Sequence, residues 1–181
     1  MTLSELLSGI KSISFTFDFG EEDEERVIAP SLGVSTDRGF ILLGLSPLDA
    51  RPGESPIHLL EADGIPSSES EDWAEVEAHL LKEALEVCGI IASTAYLRWS
   101  EDKEAVEVAT SSGVNAARFA VPAMASGQAA FAVPVQPLLS VLSNDKALFV
   151  AVDEALYIKV ADKFYVVDFS IEYEDFCEEG R

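Results

Sequence analysis

The most informative pattern of apolar and polar residues lies in Gln128–Tyr173, where it first predicts a strand followed by a short helix. Phe131 and Val133 alternate with small residues until Pro134 and Pro137 interrupt the strand. Pro137 suits the first turn of a helix, where its missing N–H is no loss. An apolar stripe at helical spacing follows, made of Leu138, Leu139, Val141 and Leu142. We therefore expect a helix over Gln136–Ser143.

Three strands are predicted after this helix. Lys146–Val152 is apolar on both faces, as in a buried strand, whereas Ala155–Val160 and Phe164–Ser170 alternate between two faces. The turn residues Asp153 and Glu154 separate the first two of these strands. The order along the chain is thus strand, helix, strand, strand, strand.

A longer helix is predicted upstream, over Trp73–Cys88. Its apolar stripe consists of Trp73, Val76, Leu80, Ala84, Val87 and Cys88. Its other face is formed by Glu75, Glu77, His79, Lys82, Glu83 and Glu86. That face holds four acids and one base, so it is predicted to be exposed and negative.

The first 72 residues show a weaker pattern. Leu3–Ile10 suits a short amphipathic helix, and Ile13–Phe19 and Phe40–Gly44 each alternate as a strand. Prolines and glycines break up Ser46–Ser70, which predicts an irregular loop over residues 46–72. We expect a β-containing segment over residues 1–72 and an α+β domain over residues 73–181. In the alternative division, Ile13–Phe19 is the first strand of that same domain and an insertion follows it.

The order of these elements resembles the repeat unit of the DNA sliding clamps, most closely the bacterial β clamp. Phe131-Ala-Val-Pro134, followed by Pro137-Leu-Leu-Ser-Val-Leu142, is similar to the clamp strand that ends in "TVPA" and enters a short inner helix. Val106–Thr110 stands where the clamps have "LVATD". The resemblance covers roughly Trp73–Asp175. Another α+β domain with a strand-helix-strand-strand unit is the alternative interpretation.

The resemblance implies a clamp-like α+β fold, in which two helices pack side by side on a curved antiparallel sheet built from strand-helix-three-strand repeats. It places strands between the two helices at Tyr96–Trp99, Ala105–Thr110 and Asn115–Val121. Residues expected to be buried in this fold are Val76, Leu80, Leu138, Leu142, Val150 and Val166.

Two candidate surfaces also follow from the resemblance. In the clamps the outer face of the inner helices lines the DNA channel and is positive. The residues at the matching positions here are Glu75, His79, Lys82, Glu83 and Glu86. The clamps close their rings by strand pairing between subunits, and the candidate edge strand here carries Phe164, Val166, Asp168 and Ser170. An apolar edge at Phe164–Ile171 needs a partner or a cover, because a bare edge promotes aggregation.

Charge restricts how the chain could meet DNA. The formal net charge is −21, from 33 acidic and 12 basic residues. Such a chain repels nucleic acid at long range, and general binding to phosphate would require more Lys and Arg. Glu21–Glu25 is a run of five acidic residues, which predicts a solvated loop or, less often, a decoy for phosphate. We expect DNA to be held by encirclement if at all.

The sequence contains no pattern typical of catalysis or cofactor binding. His58 is expected in a loop and His79 on the polar helix face, and no Gly-x-Ser-x-Gly elbow, phosphate loop or Gly-x-Gly-x-x-Gly occurs. Cys88 and Cys177 are the only cysteines, too few for a zinc site. No run of apolar residues approaches the ~20 that a membrane helix needs. We expect a cytoplasmic protein without metal, cofactor or membrane contact.

Three functional hypotheses remain open. The first is a sliding-clamp-like protein that serves as a non-catalytic tether or interaction platform in DNA replication or repair. The second is an acidic protein-interaction module, such as a DNA mimic or a phage-type regulator, that keeps a clamp-like fold without binding DNA. The third is a small enzyme whose site the sequence does not reveal. The expected partner is a protein, either further copies in a ring or a basic protein.

Overall fold

Antiparallel strands make up most of the described residues, because alternating apolar residues recur along them. The computed structural model describes residues 10–16, 31–44, 55–66, 70–113, 115–143 and 145–168. Within these residues lie the strands β1 (Ile10–Thr16), β2 (Ser31–Thr36), β3 (Gly39–Gly44), β4 (His58–Ala62), β5 (Trp73–Glu77), β6 (Thr94–Ser100), β7 (Lys103–Ser112), β8 (Asn115–Ser126), β9 (Gln128–Pro134), β10 (Lys146–Val152), β11 (Ala155–Val160) and β12 (Lys163–Asp168).

Two helices lie among these strands. Helix α1 spans Ala78–Ile91 between β5 and β6, and helix α2 spans Val135–Val141 between β9 and β10. Helix α1 begins directly at the end of β5, where the backbone N–H of Ala78 donates to the carbonyl oxygen of Asp145 at 3.0 Å. The two helices contact each other.

All of these strands pair antiparallel, and β8 is the branch point of the sheet. Residues 115–122 of β8 pair with β7, and Ala116–Phe119 also pair with β3 on the other side. The last four residues of β8, Ala123–Ser126, pair with β5. From β8 one path continues through β7 to β6 and β9, a second through β3 to β2 and β1, and a third through β5, β10, β11 and β12 to β4.

The core lies between the helices and the sheet. Its largest fully buried side chains include Trp99, Phe149, Leu81, Leu85, Leu97, Leu138, Leu156 and Ile158. A separate, smaller cluster joins the end of α1 to β3 and β8 through Ile41, Val87, Ile91 and Ala117. Of the residues expected to be buried, Val76, Leu138 and Leu142 are buried, whereas Leu80, Val150 and Val166 are half-buried.

The predicted helix over Trp73–Cys88 is wrong in its first five residues, which form β5. Ala74 and Val76 are buried on one face of this strand. Val76 and Leu80 are also four residues apart, so the same residues fit a helical stripe. Pairing with β8 on one side and with β10 on the other decides the outcome, because it uses backbone groups that a helix would bond internally. Helix α1 then continues beyond Cys88 to Ile91.

The N-terminal segment contains more regular structure than its sequence predicts. His58–Ala62 is a strand within the segment expected to be an irregular loop. Strand β1 begins at Ile10, so the predicted strand starts three residues too late and the last residue of the predicted helix 3–10 is in a strand. Residues 3–9, 17–19 and the acidic run 21–25 lie outside the described part.

The fold class is confirmed at the level of an α+β protein, whose described residues form two helices on a large antiparallel sheet. Strands β10 and β11 have the predicted limits at both ends. Strand β3 of the N-terminal segment pairs with β8, and β4 pairs with β12. Strands from before and after residue 72 are thus hydrogen-bonded to each other. The division of the chain into two units at that position stays a prediction.

Candidate interaction surfaces

The outward face of α1 carries four of the five residues predicted to face a channel. His79 and Glu86 are exposed, and Lys82 and Glu83 are half-exposed. Glu75 is not part of this face, because it lies on β5. The structure therefore brings together three charged residues and one histidine on the helix, and the acids outnumber the base.

Two of the acids expected to face solvent freely are paired with bases. Arg38 Nη1 donates to Glu83 Oε2 at 2.7 Å, and Lys146 Nζ donates to Glu75 Oε1 at 2.9 Å. Arg38 lies in the turn between β2 and β3, 45 residues from its partner. Neither pairing could be predicted from the sequence, since each partner lies on an element that is distant along the chain.

Lys146, which follows α2, is held by the acidic residues of β5. Its pKa is raised above the ordinary value, first by the hydrogen bond to Glu75 and next by the charge of that carboxylate, with a smaller effect of Glu77. Helix α2 itself carries no charge. The described helix surface therefore has no cluster of bases that could follow a phosphate backbone.

The strand predicted to be a subunit edge has a neighbour on each side. Phe164, Val166 and Asp168 lie on β12, which pairs with β11 along one side and with β4 along the other. Val166 is opposite Leu60 of β4 in this pairing. Strand β4 of the same chain thus supplies the cover that this apolar edge was expected to need, and the role of β12 as a subunit edge stays a prediction. Ser170 lies outside the described residues.

An exposed cluster on the outer side of the sheet was not expected. Glu107 Oε1 lies 3.4 Å from Arg98 Nη2 and 3.7 Å from Arg118 Nε. Arg118 of β8 is opposite the exposed Phe40 of β3. On the other side, Arg118 is aligned across β7 with Tyr96 of β6. The alternation of each strand indicates which residues share a face, but the order of strands, which brings the arginines together, is a long-range property.

Groups that could do chemistry are dispersed. His58 and His79 are both exposed, on β4 and α1. Cys88 is fully buried, and burial raises the pKa of its thiol to about 12, so this thiol stays protonated at neutral pH. The described residues contain no group of three or more metal-binding side chains. Among those residues, no helix has the length and apolar character to cross a membrane.

No protein-family model and no curated protein sequence matches the chain. Comparison with solved structures finds the DNA sliding clamps. The DNA polymerase sliding clamp of Pseudomonas aeruginosa is 14% identical over 79% of this chain and 42% of that chain, with a TM-score of 0.49. A putative DNA polymerase III beta subunit from Eubacterium rectale is 10% identical over 81% of this chain and 42% of that chain, also with a TM-score of 0.49.

The match to PCNA from Thermococcus kodakaraensis covers a larger share of the solved protein than the matches to the bacterial clamps do. It is 18% identical over 91% of this chain and 67% of that chain, with a TM-score of 0.44. This chain is similar to the DNA sliding clamps. It spans about two fifths of the length of the bacterial clamps that it matches.

Proposed function

We propose that this chain is a sliding-clamp-like protein that acts as a non-catalytic tether or interaction platform in DNA replication or repair. The observation that carries the proposal is the order of elements from Trp73 onward. Strand β5, helix α1 and strands β6 to β8 are followed by strand β9, helix α2 and strands β10 to β12. We interpret this order as two copies of the strand-helix-three-strand repeat.

The pairing of the first strand of each half supports this interpretation. Strand β5 pairs with β10 of the second half, and β9 pairs with β6 of the first half. Each half therefore completes the sheet of the other, as expected of two repeats that fold as one unit.

Contact between the helices supports a side-by-side arrangement. Gly89 of α1 lies against α2, where an added Cβ atom would be 3.1 Å from both Val135 Cγ1 and Gln136 Nε2. The lack of a side chain at this glycine allows the two helices to approach closely.

Encirclement is the mode of DNA contact that the charges favour. The outward face of α1 has more acids than bases, and Arg38 and Lys146, which lie near α1 and β5, are already paired with Glu83 and Glu75. Direct binding to the phosphate backbone needs unpaired Lys or Arg that can displace counterions. A chain with one clamp-like unit would have to assemble with further copies, or with a larger clamp, to surround a duplex. We propose that it works in the cytoplasm with protein partners and without catalysis.

The acidic face of α1 also favours a second candidate function. In that alternative the chain is an acidic interaction module with a clamp-like fold, and its partner is a basic protein. The attraction would then weaken as salt screens charges beyond about 10 Å.

Fluorescence anisotropy with a short labelled duplex tests how DNA is contacted. We expect no binding at low salt, where electrostatic attraction is strongest. As a control, Glu83→Lys combined with Glu86→Lys places bases on the same helix face and should produce salt-sensitive binding. Salt-sensitive binding by the unaltered chain would contradict the proposal, because it would show direct contact with phosphate.

A further inference from the structure

Strand β4 covers an edge that is apolar from Phe164 to Val167. Tyr165 and Val167 of β12 are buried on the core side, and Phe164 and Val166 are half-buried on the other side. Strand β4 pairs with all five residues from Phe164 to Asp168. Without β4, these backbone groups would be unpaired beside apolar side chains, which is the arrangement that leads strands of separate chains to pair.

Strand β4 is attached less firmly than the strands inside the sheet. Within the described residues it forms a ladder with β12 alone, whereas β5, β10 and β11 each form ladders on both sides. Leu60 is 46% exposed, and His58 and Glu61 are also exposed. Of the apolar residues described between positions 55 and 66, only Ile57 and Leu59 are among those that pack against the core.

The connections on either side of β4 are suited to its release. Pro56 precedes the strand, and Gly64 and Pro66 follow it. One side-chain hydrogen bond anchors its N-terminal side, between the hydroxyls of Ser55 and Thr94 at 2.8 Å. Detachment of β4 would therefore break one five-residue ladder and few other described contacts, and such weakly held elements open locally in folded proteins.

We propose that β4 is a built-in cap that keeps the β12 edge from pairing with a second copy of this chain. The β12 edge is complementary to itself in an antiparallel pair centred on Val166. In that register Tyr165 faces Val167 of the second copy, so buried-side residues meet, and no two like charges are opposite each other. The pair would use the five residues that β4 now covers. The contact would be symmetric and closed, as in most dimers.

Proline substitution at two adjacent exposed positions tests the cap. Successive N–H groups of a strand point to opposite sides, so only one of Leu60→Pro and Glu61→Pro removes a hydrogen bond to β12. Hydrogen exchange of the β12 amides identifies the variant that loses the cap. Light scattering should give that variant about twice the mass of the unaltered chain, and the other variant should keep the unaltered mass. Loss of β12 protection without a rise in mass would overturn the proposal.

Two further variants keep the test decisive. Val166→Lys, added to the uncapped variant, should restore the mass of the unaltered chain, because two lysines would face each other across the pair. Failure to restore it would mean that the chains pair elsewhere and would overturn the proposal.

Leu59→Ala weakens the packing of β4 without altering its backbone, and it should raise the dimer fraction in a concentration series even if the proline variants do not fold. An unchanged fraction would contradict the cap.

This inference is tested separately from the proposed function. It concerns the ratio between the masses of the variant and of the unaltered chain, whereas the clamp proposal concerns the mass of the unaltered chain itself.

Discussion

A single glycine controls how the N-terminal strands join the sheet. A Cβ atom at Gly39 would overlap the backbone carbonyl of Arg118, which cannot move aside without disrupting β8. Its freedom from a side chain, rather than an unusual φ angle, is what the position requires. Gly39 directly precedes the predicted strand Phe40–Gly44, but the sequence does not reveal that the backbone of another strand passes so close.

We predict that Gly39→Ala will weaken the pairing of β3 with β8. The free energy of unfolding should fall by about 1–3 kcal/mol, as for other overpacked sites, and the amides of β3 should exchange faster. Gly64→Ala is the matched control, since an added Cβ there has no atom within 4 Å. Equal stability of the two variants in urea denaturation would show that β3 does not approach β8 as described.

Cys88 should be unreactive while the chain is folded. Because burial raises the pKa of this thiol from 9.0 to about 12, almost no thiolate is present at pH 8 to react with iodoacetamide. A Cys177→Ser background makes Cys88 the reporting thiol. We predict that modification will require unfolding; rapid modification under native conditions would contradict the burial of α1 against the sheet.

The same pKa shift predicts a stability change at high pH. Between pH 9 and about 12 the unfolded chain loses the Cys88 proton while the folded chain keeps it. The free energy of unfolding should therefore fall as the pH rises through this window, by up to about 1.4 kcal/mol per pH unit. Cys88→Ala should show a shallower slope in urea denaturation series at these pH values, and identical slopes would exclude the effect.

At the scale of elements, sequence patterns predict the strands well and fail where pairing with distant strands decides the structure. Strands β10 and β11 were predictable because short turns separate them and their alternation is local. Strand β5 was not, since Trp73–Glu77 fits both the helical and the strand period. Its pairing with β8 and β10 involves residues about 50 and about 70 positions away, and such contacts leave no local signal.

The ion pair between Arg38 and Glu83 links the β2–β3 turn to α1. Both side chains are about half exposed, so water and salt screen their attraction. A double-mutant cycle of Arg38→Ala and Glu83→Ala should give a coupling energy of about 0.2–1 kcal/mol that declines as salt is added. A larger, salt-independent coupling would indicate a contact that is shielded from water.

At the scale of the whole molecule, the resemblance to the clamps was visible in the sequence and the role of the N-terminal segment was not. Apolar spacing after residue 73 predicted two helices and the strands between and after them, and the resemblance to the clamps implied that they form an antiparallel sheet with the helices packed on it. Strand β4, which covers β12, has only five residues and is flanked by prolines and glycines. Such a sequence predicts a loop. The candidate channel residues lie on α1 except for Glu75. That residue lies on β5, because the helix begins five residues later than predicted.

The net charge of −21 has a consequence for assembly. Copies of this chain repel one another at low ionic strength, and added salt screens that repulsion. Self-association through paired strands should therefore strengthen as salt is added, whereas association with a basic partner should weaken.

The mass of the unaltered chain in solution tests the clamp proposal most directly. Multi-angle light scattering at physiological salt should give a multiple of the 19.5 kDa chain mass, and a short linear duplex should not change it, because a ring does not retain DNA that it can slide off. A mass of one chain at all concentrations would contradict the sliding-clamp function and leave the acidic interaction module.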